Sequence, residues 1–176
     1  MRMAVIDELQ SLVPPPSQPK AAEGDWKALE SELGVRFPDD YKSYIQTYGS
    51  GTLCTYFYIV SPFELLDPPR AYWANWASFY KDMAELGEVI PYPFYPSVPG
   101  LFPIGTYGDV DILNWLTAGE PENWSFVYYD RTEGFFDLGN IGFVQFLVSV
   151  LRGESGLPTA ALGTHVLSKP FVFRQD

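Results

Sequence analysis

The stretch that decides the fold reads Asp25-Trp26-Lys27-Ala28-Leu29-Glu30-Ser31-Glu32-Leu33-Gly34-Val35-Arg36-Phe37-Pro38-Asp39-Asp40-Tyr41-Lys42-Ser43-Tyr44-Ile45-Gln46-Thr47-Tyr48-Gly49-Ser50-Gly51. It predicts two short helices about a tight break. Asp25 is placed to cap the first helix; Trp26, Leu29 and Leu33 share one face, and Gly34 is a stop. In the second, Pro38 lacks the N–H that a first helical turn leaves unpaired, and Asp39 and Asp40 put negative charge at the positive end of the dipole. Tyr41, Tyr44, Ile45 and Tyr48 then recur at i, i+3, i+4, i+7, the spacing of one buried helical face. Gly49 and Gly51 supply backbone freedom at the end. Phe37, apolar in the break, is expected to pack between the two helices. Nothing in the stretch has catalytic chemistry; it specifies a fold.

Upstream, residues 4–13 place Val5, Leu9, Leu12 and Val13 on one side of a short helix, and Pro14-Pro15-Pro16 ends it. With the polar linker that follows, residues 1–22 read as an appended arm. Downstream, the β-branched and aromatic run from Thr52 to Val60 predicts one strand, and Phe63-Glu64-Leu65-Leu66 a single helical turn. Between Ala71 and Leu86, Tyr72, Trp76, Phe79, Tyr80 and Met83 recur at helical spacing, with Gly87 as the stop. Prolines 91, 93, 96 and 99 interleave with Tyr92, Phe94 and Tyr95 in an irregular loop, read either as a packed insertion or as a ligand for a proline-recognition groove.

Strands are expected at 101–107, 111–116, 125–129 and 134–138, separated by segments of turn composition, so they form an antiparallel meander. Asn140 is expected to cap a final helix with Phe143, Phe146, Leu147 and Val150 facing inward, ending near Gly153. Phe171-Val172-Phe173 is available as an edge strand. Helices, a strand, a helix, a run of strands and a last helix make a segregated order. The fold class is therefore α+β: a single domain over 23–153 with a central, mostly antiparallel sheet flanked by helices, and an extension over 154–176.

Composition bounds the function. The 176 residues suffice for one core, and 47% apolar residues place the chain among folded globular proteins. A net charge of −11 repels nucleic acid and anionic lipid, so neither is an expected partner, and it steers a basic protein toward the chain. Acidity that serves only solubility is the alternative. Aromatics make up 17% of the chain, which suits a ring-rich core or a recognition surface. The one cysteine, Cys54, excludes an internal disulfide, fits a reducing cytoplasm and reads as a buried, inert thiol. The one histidine, His165, has no orienting motif that would make it a catalytic partner for Cys54, and the ligand count disfavours zinc. No run of about 18 apolar residues predicts a membrane helix, and Asp7 and Glu8 interrupt any leader core, so a cytoplasmic location is expected.

Several ordered pieces resemble the SUKH superfamily, a group of bacterial immunity proteins that also contains a fungal regulator of cell-wall synthesis. Trp26-x-x-Leu29-Glu30-x-x-Leu33-Gly34-Val35-x-Phe37-Pro38-x-Asp40-Tyr41-Lys42-x-Tyr44-x-x-x-Tyr48-Gly49-x-Gly51 is similar to the family's opening helical pair and glycine turn. Leu101-Phe102-Pro103-Ile104-Gly105 with Gly108-Asp109 resembles its mid-sheet motif. Residues 125–130 resemble the next strand, and Phe143-x-x-Phe146-Leu147 with Gly153 the closing helix. The resemblance implies a non-enzymatic α+β domain that neutralises a cognate protein toxin, often a nuclease or deaminase, by covering it. It carries over no cofactor, no catalytic residue and no contact surface. The fungal relative implies a second possibility, a regulatory or scaffold module that binds a protein or glycan.

The candidate contacts for a basic partner are the acidic turns, Asp109, Asp111, Glu120 and Glu122, with Tyr92 and Tyr95 of the proline-rich loop as aromatic anchors. Asp109 and Asp111 also lie two apart on a strand-like segment. That spacing suits a metal or an acid–base pair, but no third ligand accompanies them. Asp39-Asp40 reads as a helix N-terminus, Glu120-Pro121-Glu122 as a solvated turn, and Trp73 with Trp76 as one helix side that either packs the core or stacks a sugar. Gly105-Thr106-Tyr107-Gly108 lacks the lysine and helix of a phosphate loop.

Overall fold

The expected helical pair forms as α2 (Trp26–Leu33) and α3 (Asp39–Tyr48) in a computed structural model that describes residues 4–64, 69–108, 111–157 and 168–175. Asp25 caps α2, its Oδ1 accepting from the Ala28 N–H at 3.0 Å, and Gly34 ends it at φ 68°, a left-handed conformation that a side chain resists. Glu30 ties the pair together. Its Oε1 accepts from the Phe37 N–H at 2.8 Å and from Lys42 Nζ at 2.6 Å. Phe37 is fully buried in the break, in ring contact with Trp26 and Tyr41.

Around this pair the chain lays down α1 (Val5–Leu12), β1 (Gly51–Leu53), β2 (Phe57–Ile59), α4 (Pro69–Glu85), β3 (Leu101–Tyr107), β4 (Asp111–Leu116), a 3-10 turn (Pro121–Asn123), β5 (Ser125–Asp130), β6 (Gly134–Asp137), α5 (Phe143–Arg152) and β7 (Phe173–Arg174). The strands form one seven-stranded sheet in the order β6-β5-β4-β3-β2-β1-β7, every neighbouring pair antiparallel. The fold is α+β with this sheet flanked by five helices, as the segregated order implies.

Strand alternation splits the sheet into two faces. One carries Phe102, Leu113, Trp115, Phe126 and Tyr128 into the main core with α1, α2, α3 and α5. The other carries Leu101, Ile112, Val127 and Tyr129 into a smaller core beneath α4. Two buried side chains hold α4 down: Trp73 Nε1 donates to the Pro103 carbonyl at 2.9 Å, and the Tyr80 hydroxyl to Asn114 Oδ1 at 2.8 Å. Leu9 and Val13, expected in an arm, are fully buried in the main core. A bulge between Pro103 and Gly105 shifts the β3–β4 register, and a Cβ at Gly105 would meet the Ile59 side chain and, at 2.8 Å, the Tyr58 carbonyl.

Two expectations are corrected. The run 52–60 is a hairpin and not one strand. Cys54 and Thr55 take φ of 55° and 73°, and the Tyr56 N–H donates to the Leu53 carbonyl. The turn lacks the Gly or Asn that usually marks one, because packing and the Val172 carbonyl, which accepts from the Cys54 N–H at 2.8 Å, hold it. The cap of α5 is also not Asn140, whose amide instead reaches Asn123 Oδ1; Gly142 occupies the cap, and the acceptor is supplied by Asp40. The expected helical turn at 63–66 is seen only as a turn over 62–64, and its last two residues lie outside the described residues. Among the described residues no helix is long and apolar enough to cross a membrane.

Candidate functional site

The N-termini of α3 and α5 meet beside the 3-10 turn. Asp40, in the first turn of α3, reaches across so that its Oδ2 accepts the Val144 N–H at 3.1 Å, filling the role that Gly142 cannot. Burial raises the Asp40 carboxyl above its ordinary value, while backbone N–H groups of Val144, Tyr41 and Phe143 pull the other way. A Cβ at Gly142 would lie 2.6 Å from Asp40 Oδ2, so the small residue at the cap lets the two helix ends approach.

This junction borders a pocket of about 330 Å³. Trp115, Trp124 and Phe143 line its interior, and Asp39, Asp40 and Glu122 bring carboxylates to it. Trp115 and Trp124 are in ring contact at 5.7 Å, and Trp124 Nε1 donates to the Gly119 carbonyl at 3.1 Å, which sets the turn carrying Glu120 and Glu122. Arg36, from the break between α2 and α3, lies 3.2 Å from Glu122 and 3.8 Å from Glu120. All three side chains are substantially exposed, so solvent weakens both pairs. The arrangement is an aromatic pocket with an acidic rim, suited to the aliphatic stem and positive head of a lysine or arginine.

The candidate residues read from the sequence fall in four environments. Glu122 is exposed on this rim, and Glu120 is exposed beside it, both within reach of Arg36. Tyr92 is half-buried on the opposite sheet face, its hydroxyl donating to Asp137 Oδ2 at 3.4 Å. Tyr95 and Asp111 are buried: the Tyr95 hydroxyl donates to the Leu33 carbonyl at 2.6 Å, and Asp111 accepts from the Tyr128 hydroxyl at 2.7 Å and the Arg131 N–H at 3.0 Å. Burial raises the Asp111 carboxyl above its ordinary value, and it pushes the Tyr128 hydroxyl far up as well. Asp109 and His165 lie outside the described residues.

The proline-rich loop is packed: the Leu101 N–H donates to the Pro93 carbonyl and the Tyr95 N–H to the Leu101 carbonyl. Trp73 is a core residue, while Trp76 is only partly buried. Cys54 is buried, and burial pushes its thiol up to about 11, away from thiolate chemistry. Among the described residues no group of three or more His, Cys, Asp and Glu side chains is placed to hold a metal ion.

Arg36, Asp39 and the Trp115–Trp124 pair were not legible as site residues. Arg36 and Glu122 lie 86 positions apart, as Asp40 and Val144 lie 104 apart, and no local pattern announces such a meeting.

A family model described as SMI1-KNR4 cell-wall, SUKH_6, matches residues 23–147. That span runs from the cap of α2 into α5 and includes the whole acidic-rimmed pocket except Val5. Comparison with curated proteins and with solved structures gives no match.

Proposed function

The chain belongs to the SMI1-KNR4 cell-wall family, SUKH_6, and from that premise we propose that it is an immunity-type binding protein that neutralises a cognate, basic protein toxin in the cytoplasm without catalysis of its own. Family membership over residues 23–147 is the observation that carries this reading. The chemistry of the surface supports it. A charge of −11 draws in a basic partner, and the rim carrying Asp39 and Glu122, with Glu120 exposed beside it, gives that attraction a place. A partner cation that docks there competes with Arg36 for Glu122, so contact exchanges one exposed ion pair for another and gains aromatic burial beneath it. Tyr92 stands on the other sheet face and belongs to this reading only if the partner wraps the β6 edge.

The test is purification of the chain from its native host with its partners, followed by co-expression of the identified partner. A partner that stops growth alone, and not when the chain is present, supports the reading. The family description favours one other role, a regulatory or scaffold module bound to a protein or glycan of the cell-wall machinery. A partner that is harmless when expressed alone, with no toxin gene beside that of the chain, decides for that role.

A further inference from the structure

The second sheet face holds a pocket of about 520 Å³ that the partner reading leaves unused. Trp76, Phe79 and Met83 of α4 form one wall, and Thr106, Ile112 and Tyr129, adjacent across β3, β4 and β5, form the other. The volume is in the usual range for small-molecule sites, roughly 300–1,000 Å³. Its lining is mainly apolar, with the polar Thr106 in the sheet wall and the charged Glu88 and Arg131 beside it. Among the described residues neither of these takes part in a salt bridge.

Tyr129 is 1% exposed, and its hydroxyl has no hydrogen-bond partner. A buried donor left unpaired costs on the order of 1–3 kcal/mol. Tyr80 and Tyr128 each donate to a side-chain oxygen, and Tyr44, whose hydroxyl also has no partner, lies in the closed main core, whereas Tyr129 lines a pocket. Tyr129 lines the pocket, and its unpaired hydroxyl lies within electrostatic reach of Glu88 and Arg131, which line it as well.

We propose that this pocket binds a small neutral molecule with an apolar, ring-sized body and a carbonyl-type acceptor, the body against Trp76, Met83 and Ile112 and the acceptor on the Tyr129 hydroxyl. Neutrality follows from the balance of charge: Glu88 and Arg131 offset one another, so neither an anion nor a cation finds an uncompensated partner, and the net charge of −11 further disfavours an anion. An amide suits both groups, because its carbonyl takes the tyrosine hydroxyl and its N–H faces Glu88. This site is independent of the acidic-rimmed pocket and of any toxin.

The experiment titrates the full chain with phenylacetamide and follows the Met83 methyl signal by NMR, with phenylacetate and phenethylammonium as charged controls. The expected result is a saturable shift for the amide, weaker binding of both ions, and about fivefold weaker binding to Tyr129→Phe. That variant should melt at or above the wild-type temperature, since it removes a buried group that has no partner. An unmoved Met83 signal, equal affinity for the ions, or unchanged amide binding in Tyr129→Phe would each overturn the proposal. So would a large drop in melting temperature, which would mean that the hydroxyl is already paired.

Discussion

The two faces of the sheet are finished differently. The face toward α1, α3 and α5 is closed: Phe37, Tyr41, Trp115, Phe126 and Phe143 are essentially without solvent contact and meet one another ring to ring. The face toward α4 is held at Tyr80 but left open beside it, while Trp73 of the same helix packs into the main core. Tyr58 is 42% exposed and Phe79 40%, and one row of this face runs Arg174, Thr52, Tyr58, Thr106, Ile112, Tyr129, Phe135 from one edge strand to the other, buried only at Ile112 and Tyr129. The difference separates two jobs. A closed aromatic face specifies one packing and tolerates little change. An open face keeps room beside the sheet, whereas a buried hydroxyl without a partner occurs on both sides, at Tyr44 in the closed core and at Tyr129 beside the pocket.

The largest test of this contrast is a pair of truncations. Trp115→Ala on the closed face should lose ~3–5 kcal/mol in denaturant unfolding, whereas Phe79→Ala on the open face should lose ~1 kcal/mol or less. Equal losses would erase the distinction. Next in size is Asp40→Ala, which strands the Val144 N–H at the helix junction and should cost ~1–3 kcal/mol. A near-neutral result would mean that water replaces the carboxylate there.

A smaller effect concerns pH. Asp111 has a raised carboxyl in the fold, so the folded state holds its proton at pH values where the unfolded chain has lost it. Its contribution to stability is therefore full below the ordinary carboxylate range and is lost as pH rises through the raised value. Wild type measured against Asp111→Asn should lose relative stability over that rise, by chemical denaturation at a series of pH values. A relative gain would show that the Tyr128 and Arg131 hydrogen bonds outweigh burial.

What could be read from the sequence follows the range of the interactions. The α2–α3 pair was legible because its cap, stop and buried face all lie within a few residues of one another. The long helix at Pro69–Glu85 and the meander strands showed through their periodicity. The β1–β2 turn did not, because Cys54 and Thr55 adopt left-handed conformations imposed by packing, in a run whose composition argues for a strand. The site was legible in part. Glu120 and Glu122 announce an exposed acidic turn, but burial of Asp111 and Tyr95 depends on partners at Tyr128 and Leu33 that no local pattern links to them. The pocket beneath Glu122 is assembled from α3, β4, the 3-10 turn and α5, which only the completed fold brings together.

The central claim, an acidic-rimmed surface that captures a basic protein, is tested most directly by association kinetics with the co-purified partner at a series of salt concentrations, comparing wild type with the double variant Glu120→Lys, Glu122→Lys. Both side chains are exposed, so melting should move by no more than ~0.5 kcal/mol equivalent. The wild-type on-rate should fall steeply with salt, and the variant on-rate should be about tenfold lower at low salt with a flatter dependence. A variant that associates as fast as wild type, with the same salt slope, would contradict that claim.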